Sequence, residues 1–278
     1  MILSEALRVS IQSLSSSETA KLDAEILLSF VLNCSRAYII SHNERALTSN
    51  EIEQYQQLIA RRKQGEPIAY LIGSKEFWSL KLAVTPDTLI PRPETELLVE
   101  LILKQFSENN YCRIADLGTG SGAIALAIAQ EKPQWEIIAT DQSAAALQVA
   151  KKNAAALKLK NVKFFQGDWC SALPNNLLFD VIVSNPPYIA KEEWQDLAVE
   201  LAFEPLSALI ADNNGLEDIF HIIHSAKSYL GPGGWLWLEH GFAQAENIQI
   251  FFTKSGYTQV NTYYDLAGKE RVTCGKRL

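Results

Sequence analysis

One glycine-rich segment near the middle of the chain has the residue types needed to hold a small ligand against the backbone. Its glycines alternate with hydroxylated residues and follow an acid, in the run Asp116-Leu117-Gly118-Thr119-Gly120-Ser121-Gly122. Glycine at alternate positions allows a tight turn and a close approach that a Cβ atom would prevent. The spacing is one residue shorter than the GxGxxG of dinucleotide-binding loops, and a carboxylate before the first glycine would repel a pyrophosphate. The segment therefore favours a ligand that carries a positive charge and no phosphate.

Acidic residues follow two further predicted strands, where they could bind the rest of such a ligand. Asp141 ends the run EIIATD about 20 residues beyond the loop, where an acid can accept hydrogen bonds from both hydroxyls of a ribose. Asp168 follows the next run and could accept from the exocyclic amine of adenine, while Trp169 could stack on the ring. Acids at strand ends also cap helices, so each is weak evidence alone. Together with the loop they predict binding of S-adenosylmethionine, with S-adenosylhomocysteine as the product.

A double-proline turn after the fourth strand could position the group that is modified. The turn is Asn185-Pro186-Pro187-Tyr188, directly after the apolar run FDVIVS. Two prolines remove two backbone donors and fix two φ angles, so the carbonyls of Asn185 and Pro186 can point outward as acceptors. The Asn185 side chain adds a further acceptor, and Tyr188 offers a flat face. At the carboxyl end of a parallel strand, this turn faces the crevice where open α/β sheets bind ligands.

These acceptors suit methyl transfer to a planar nitrogen. The lone pair of an amide or aniline-like NH₂ group is delocalised, which makes the nitrogen a poor nucleophile. Acceptors on both N–H bonds can hold the nitrogen in line with the methyl group and favour its pyramidalisation. We therefore expect Asn185, Pro186 and Tyr188 to act in catalysis. No metal ion or covalent nucleophile is required, because a sulfonium is already activated. The alternative interpretation is that the turn only ends a strand.

The elements that must position these residues fall into two parts. Apolar residues up to Gly73 recur at helical spacing, and Thr48 with Glu51 matches a capping box at the start of one long helix. Beyond residue 93 short apolar runs alternate with helical stretches, which is typical of βαβ units. We predict an α/β protein with a doubly wound, mostly parallel sheet. Its predicted domains are a helical domain over 1–73, a β-hairpin linker over 74–92, and a methyltransferase domain over 93–278.

Composition narrows the class of protein. The 278 residues carry a formal net charge of −7, and 47% of them are apolar. Proteins that bind nucleic acid broadly show an excess of Lys and Arg, so we expect no direct nucleic-acid partner. The four cysteines are scattered without metal-ligand spacing, which predicts reduced thiols and no metal site. No apolar run could span a bilayer and the N-terminus does not resemble a signal peptide, so we expect a cytoplasmic protein with no membrane partner, and a monomer.

Taken together, the motifs resemble those of the release-factor glutamine methyltransferases (the HemK/PrmC family) over nearly the whole chain. NPPY alone also occurs in adenine and guanine amino-methyltransferases, so by itself it indicates only nitrogen chemistry. The helical N-terminal part of the chain and the PRPETE segment point to this family. The similar segments are GEPIAYLIG at 65–73, EFW at 76–78, LIPRPETE at 89–96, DLGTGSGAIALA from Asp116, GDW at 167–169, NPPYI from Asn185, and Glu204-Pro205 with Ala208-Leu209.

The resemblance implies a seven-stranded, Rossmann-like methyltransferase sheet and a five-helix N-terminal bundle that binds the substrate protein. It implies a substrate glutamine in the Gly-Gly-Gln loop of class I peptide chain release factors, methylated on its side-chain N5 in support of translation termination. Cofactor contacts would fall on Gly118 to Gly122, Asp141, Trp169 and Asn185, and substrate contacts on 185–188. Many relatives have Thr where this chain has Ser121; because both side chains carry a hydroxyl, the expectation is unchanged.

Several alternatives stay open at this point. Arg92 could contact the substrate and Glu204 could shape a lid over it, but Pro93 followed by two glutamates is also how an ordinary helix begins. The basic run at 61–63 could complement a helix dipole or contact an acidic partner. For the whole chain, the alternatives are an adenine or guanine amino-methyltransferase that acts on RNA or DNA, and a binding module that has lost turnover.

Overall fold

The computed structural model describes residues 1–196 and 198–278, apart from the side chains of residues 195 and 196. Within this part the chain divides into two units. The first contains residues 1–74 and 198–203, and the second contains the remainder. Each unit has its own cluster of buried apolar side chains. No sequence pattern indicated that residues 198–203 group with the first unit.

The first unit is helical. Its buried side chains include Leu3, Leu27 and Tyr55, which come from three different helices. Thr48 and Glu51 form the predicted capping box: the Thr48 hydroxyl accepts from the N–H of Glu51, and the Glu51 carboxylate accepts from the N–H of Thr48 at 2.8 Å. That prediction is confirmed. The helices of this unit in the described residues are α1 (Leu3–Ser13), α2 (Ala20–Leu32), α3 (Arg36–Ser41), α4 (Ser49–Lys63) and α5 (Ile68–Ile72), with a 3₁₀ turn at Val199–Phe203.

Arg62, in the basic run at 61–63, fits neither of the two interpretations given for that run. Arg62 is buried, and its Nε donates to the Asp23 carboxylate at 2.8 Å. Its guanidinium also pairs with Glu200. Because a buried charge is unfavourable without a partner, these contacts make Arg62 part of the interior of the first unit rather than a docking residue. Arg61, in contrast, is exposed and pairs with Glu66.

A β-hairpin follows the helices of the first unit in the chain, as predicted. Its strands are β1 (Ser74–Phe77) and β2 (Leu80–Ala83). The two turn residues, Trp78 and Ser79, have φ values of +51° and +59°, as a type I′ turn requires. The N–H of Trp78 donates to the carboxylate of Glu96 at 2.8 Å, in the first turn of α6 (Glu96–Gln105). Glu96 therefore supports a turn that lacks the usual glycine.

The rest of the second unit is a sheet covered by helices. Its strands are β3 (Arg113–Leu117), β4 (Glu136–Asp141), β5 (Val162–Gln166), β6 (Phe179–Ser184), β9 (Leu230–Glu239), β10 (Tyr257–Tyr264) and β11 (Glu270–Arg277), with a separate small pair formed by β7 (Ile189–Ala190) and β8 (Ile210–Ala211). Its helices are α7 (Ala123–Glu131), α8 (Ala144–Ala156), α9 (Asp212–Gly215), α10 (Glu217–Ala226) and α11 (Ala245–Lys254). Short 3₁₀ turns lie at Pro93–Thr95, Trp169–Ala172, Lys191–Asp196 and Leu206–Ala208.

The strand order places a ligand crevice in the middle of the sheet. In the described residues the order is β10-β11-β9-β6-β3-β4-β5, and only β11 pairs antiparallel with both neighbours. The chain runs from β3 outward to β5 and then returns to β6 on the other side of β3. Open α/β sheets bind ligands at such a switch point, outside the carboxyl ends of the strands. The predicted fold class, a doubly wound and mostly parallel sheet, is confirmed.

The structure also bears on two expectations from composition. All four cysteines have free thiols, and Cys112, Cys170 and Cys274 are buried. No helix within residues 1–196 and 198–278 has both the length and the apolar character needed to cross a membrane.

Candidate active site

A cavity of about 250 Å³ lies at the switch point, within the second unit. The loop after β3 and the tips of β4, β5 and β6 form one side of it. Segments at 86–89 and 205–208 form the other. The cavity thus brings together residues from all four predicted motifs. Of the predicted site residues, its wall includes Gly118, Gly120, Asp141, Asp168, Trp169, Asn185 and Pro187.

The backbone of the loop after β3 requires glycine. Gly118, Gly120 and Gly122 have φ values of +69°, +55° and +89°, in the left-handed region that other residues rarely adopt. A Cβ at Gly122 would also lie 2.9 Å from the Leu126 side chain, whereas a Cβ at Gly120 would meet no described atom within 4 Å. Gly120 therefore leaves open space beside the loop, where a ligand can approach the backbone.

The acid that precedes the glycines is buried beneath the loop. Asp116 is 1% exposed, and its Oδ2 accepts from the Thr119 hydroxyl at 2.6 Å and from the N–H of Ala125 at 3.2 Å. Its Oδ1 is buried and has no hydrogen-bond partner among the described residues. Burial raises the pKa of Asp116 to about 7, although the two hydrogen bonds oppose the shift. An unpaired buried carboxylate oxygen suits a cationic ligand group.

Some predicted loop contacts face the protein instead of the cavity. The Thr119 hydroxyl is directed to Asp116, and Ser121 is buried, with its carbonyl accepting from the Asn153 amide at 2.9 Å. Neither side chain lines the cavity among the described residues, and neither does Asp116. Their predicted contact with a cofactor stays a prediction.

The tips of β4 and β5 provide an acid and a ring. Asp141 accepts from the N–H groups of Gly120 and Ser143 at 2.9 and 2.8 Å, one on each carboxylate oxygen. Burial raises the pKa of Asp141, and these two hydrogen bonds oppose the shift. Each oxygen keeps a further lone pair, so the group can still accept from two vicinal hydroxyls. The ring of Trp169 covers Gly118, where a Cβ would lie 3.0 Å from a ring carbon, and Asp168 beside it is exposed.

The double-proline corner presents its first residue to the cavity. The Asn185 Nδ2 donates to the Thr95 hydroxyl at 3.1 Å, while no described donor contacts its Oδ1. The Pro186 carbonyl likewise receives no hydrogen bond from the part of the chain that the structure describes. Asn185 and Pro187 lie on the cavity wall with Gly118 and Gly120, whereas Pro186 is buried and is not among the described residues that line the cavity. The predicted role of Pro186 in catalysis stays a prediction.

Tyr188 lies apart from the described cavity wall. Its hydroxyl donates to Oε1 of Glu239 at 3.4 Å, and its carbonyl accepts from the Gln244 amide at 3.0 Å. Burial, followed by the nearby Glu239 charge, raises the pKa of Tyr188. The phenol therefore stays protonated near neutral pH and acts as a donor to Glu239. Its predicted contact with a substrate is not tested by this arrangement and stays a prediction.

Arg92 and Glu204 are paired with each other. The Glu204 side chain is 1% exposed, and its carboxylate accepts from the Arg92 guanidinium and from the N–H of Ile90 at 2.9 Å. Neither residue lines the cavity in the described structure. The pair instead joins the ends of the two segments, 86–89 and 205–208, that form one side of the cavity.

Two buried residues behind the corner were not identified from the sequence. Thr95 is 4% exposed and belongs to the PRPETE segment, in which the sequence pointed only to the charged residues. Glu239 is 1% exposed, and burial raises its pKa to about 7. It ends the apolar strand β9 just as Asp141 ends β4, so the same signal, an acid at a strand tip, could have identified it.

Known protein families match both parts of the chain. The family described as "PrmC N-terminal domain" matches residues 5–73, and the family described as "Methyltransferase small domain" matches residues 94–211. Curated proteins named "Release factor glutamine methyltransferase" are similar over almost their full lengths. The one from Buchnera aphidicola (strain APS) is 48% identical over 100% of this chain and 99% of its own length. The one from Coxiella burnetii is 52% identical over 94% of this chain and 93% of its own length. The one from Escherichia coli K12 is 47% identical over 97% of this chain and 97% of its own length.

Solved structures share the fold at low sequence identity. A methyltransferase from Pyrococcus furiosus superposes with a TM-score of 0.55 and 20% identity, covering 80% of this chain and 97% of its own. The hMettl16 catalytic domain in complex with a MAT2A 3′UTR hairpin has a TM-score of 0.60 and 17% identity, covering 83% of this chain and 81% of its own. At this identity the likeness supports the methyltransferase fold alone.

Proposed function

The chain belongs to the family of release factor glutamine methyltransferases, and on this basis we propose that it methylates the side-chain amide nitrogen (N5) of a glutamine in peptide chain release factors. The methyl donor is S-adenosylmethionine and the product is S-adenosylhomocysteine. The target glutamine is the one in the Gly-Gly-Gln loop of class I release factors. The enzyme acts as a monomer in the cytoplasm, where these factors work.

The observation that carries the proposal is the position of Asn185. Its Oδ1 has no described partner, and the residue shares a cavity wall with Gly120 and Asp141. A ligand that fills the space beside the loop and a side-chain amide that reaches the corner would therefore meet in one cavity. A planar NH₂ group requires acceptors of this kind, because both of its hydrogens are donors.

Residues of the second unit can hold the cofactor. Gly118 and Gly120 allow close approach to the backbone, Asp141 can accept from the ribose hydroxyls, and Trp169 with Asp168 can bind the adenine. The Asp116 carboxyl, which lies beneath the loop, supplies negative charge for the cationic amino-acid portion when it is ionised. When bound, the cofactor supplies a methyl group on a sulfonium that needs no further activation.

The corner can orient the target nitrogen. Asn185 Oδ1 and the Pro186 carbonyl can each accept one N–H of the glutamine amide. Because prolines at 186 and 187 restrict the backbone, the Pro186 carbonyl is in place before the substrate arrives. The Asn185 amide is held by the bond from its Nδ2 to the Thr95 hydroxyl. Orientation and pre-placed dipoles of this kind contribute several kcal/mol to catalysis. The Arg92–Glu204 pair stabilises the opposite side of the cavity.

A nucleic-acid target is not favoured. The curated relatives that match the whole chain are named for release factor glutamine, whereas the RNA-bound neighbour shares only the fold. The chain also carries a net charge of −7, which opposes contact with a phosphate backbone.

The direct test is methyl transfer to a purified class I release factor, with total RNA and DNA as competing substrates. Mass spectrometry of the tryptic peptide that contains the Gly-Gly-Gln loop should show one added methyl group on the glutamine side chain. A release factor in which that glutamine is replaced by glutamate should receive none. Label found in nucleic acid, or on the glutamate variant at an equal rate, would overturn the proposal.

A further inference from the structure

A chain of buried polar side chains leads from the cavity wall into the sheet. The Asn185 Nδ2 donates to the Thr95 hydroxyl at 3.1 Å. The Thr95 hydroxyl lies near the Glu239 carboxyl and favours its ionised form. The Tyr188 hydroxyl donates to Oε1 of the same carboxyl at 3.4 Å. We propose that Thr95 and Glu239 are positioning residues, which fix the orientation of the Asn185 amide so that its Oδ1 faces the target nitrogen. This proposal rests on the proposed function and deepens it.

The fold brings these residues together through neighbouring strand tips. β6 and β9 are adjacent and parallel, with Ser184 in register with Leu238. The next residues along the two strands are Asn185 and Glu239, so both lie at the carboxyl edge of the sheet. Thr95 reaches them from the 3₁₀ turn that precedes α6.

The number of available protons decides which way the amide faces. A carboxylate only accepts hydrogen bonds, whereas a threonine hydroxyl has one proton to donate. When Glu239 is ionised and Thr95 donates that proton to it, the Thr95 oxygen can only accept from Asn185, and the group it accepts from is Nδ2. The Oδ1 atom is then directed to the other side. The reverse orientation would present an NH₂ group to the NH₂ of the substrate, and two donors repel each other.

The burial of the Glu239 carboxyl is unfavourable for the stability of the fold, which argues against a purely structural role. It is 1% exposed, its Oε2 has no partner among the described residues, and it follows the apolar strand residues Trp237 and Leu238. An apolar residue would be more stable at such a site, because a buried carboxyl loses its hydration. A contact to both Thr95 and Tyr188 gives Glu239 a link to the first and last residues of the corner.

The test compares three variants in methyl transfer to a release factor. Thr95→Val keeps the shape of the side chain but removes its hydroxyl, so we expect kcat to fall by about 10- to 100-fold. The dissociation constant of S-adenosylhomocysteine, from calorimetry, should change less than about twofold. Thr95→Ser restores the hydroxyl and should return kcat to within about threefold of wild type. Glu239→Gln offers one acceptor oxygen to two donors and should lower kcat without weakening cofactor binding.

A matched control separates positioning from folding. Thr273 is fully buried, and its hydroxyl contacts the His240 ring at 2.8 Å and the Thr262 hydroxyl at 2.7 Å. Thr273→Val removes a buried hydroxyl from the same sheet, so it should lower the melting temperature while kcat stays near wild type. Equal losses of kcat in Thr273→Val and Thr95→Val would overturn the proposal, as would unchanged kcat in Thr95→Val.

A double-mutant cycle tests whether Thr95 acts through Asn185. In the Asn185→Ala background, Thr95→Val should lower kcat no further, since no amide remains to be oriented. Additive losses would overturn the proposal. If wild-type enzyme modifies no release factor at all, the proposed function fails instead, so the two failures are distinguishable.

Discussion

Gly120→Ala adds one methyl group at a position where the protein itself leaves room for it. Gly120 has a φ of +55°, and a Cβ built there meets no described atom within 4 Å. The left-handed conformation disfavours a residue with a Cβ by roughly 1–2 kcal/mol, and no collision adds to that figure. We therefore expect the free energy of unfolding to fall by about 1–2 kcal/mol, which the folded state can tolerate.

Cofactor binding should be reduced by more than this loss of stability explains. Gly120 lies on the cavity wall, so the added methyl group would occupy space beside the loop that the ligand needs. Displacing one close polar contact costs about 1.4 kcal/mol, which is about tenfold in a dissociation constant. We expect S-adenosylhomocysteine to bind at least about tenfold more weakly to Gly120→Ala, as measured by isothermal titration calorimetry.

Gly73→Ala is a matched control for the backbone effect. Gly73 has a φ of +69°, a Cβ there also meets nothing within 4 Å, and the residue caps α5 in the helical unit. Urea unfolding should show a similar loss of stability in Gly73→Ala, whereas its affinity for S-adenosylhomocysteine should equal that of wild type. Wild-type affinity in Gly120→Ala would refute the assignment of the loop to the cofactor. If Gly73→Ala bound S-adenosylhomocysteine as weakly as Gly120→Ala, the loss of affinity would be due to the loss of stability.

Three further substitutions have distinct expected outcomes. Asn185→Ala should lower kcat by about 100-fold while the dissociation constant of the cofactor changes less than about threefold; equal losses would assign the amide to cofactor binding. Burial raises the pKa of Asp116 from 3.8 to about 7. The contribution of Asp116 to the free energy of unfolding is therefore fully present below about pH 4 and is lost as the pH rises through about 7. Asp116→Asn should therefore stabilise the protein in urea at about pH 8, by at most about 4 kcal/mol, and not at about pH 4; a gain independent of pH would contradict this. Glu204→Gln should lower the free energy of unfolding by about 1–3 kcal/mol, because Arg92 loses its buried partner, and an unchanged urea midpoint would argue against that pair.

The sheet and the cavity at its carboxyl edge could be predicted because each depends on a local pattern. Parallel strands covered on both faces give continuous apolar runs, and runs such as 179–184 and 136–141 are strands in the structure. The carboxyl ends of parallel strands share one edge of the sheet. Asp141 and Asn185 could therefore be expected on one cavity wall from their positions at the ends of runs alone.

Contacts between distant segments could not be predicted in the same way. The Asn185 amide meets Thr95 across 90 residues of sequence, and Glu204 meets Arg92 across 112, and no local pattern links the two members of either pair. Residue type also gave a wrong expectation of exposure for a charged residue that is buried. Arg62 has the type of a surface cation, but it is buried because Asp23, on another helix, supplies its partner.

The most direct test of the double-proline corner is a crystal structure of this enzyme with S-adenosylhomocysteine and a class I release factor. We predict that the side-chain nitrogen of the Gly-Gly-Gln glutamine lies within about 3.2 Å of both Asn185 Oδ1 and the Pro186 carbonyl oxygen, with the cofactor against Gly118 and Gly120. A glutamine nitrogen held by other residues, or a cofactor bound outside this cavity, would contradict the account.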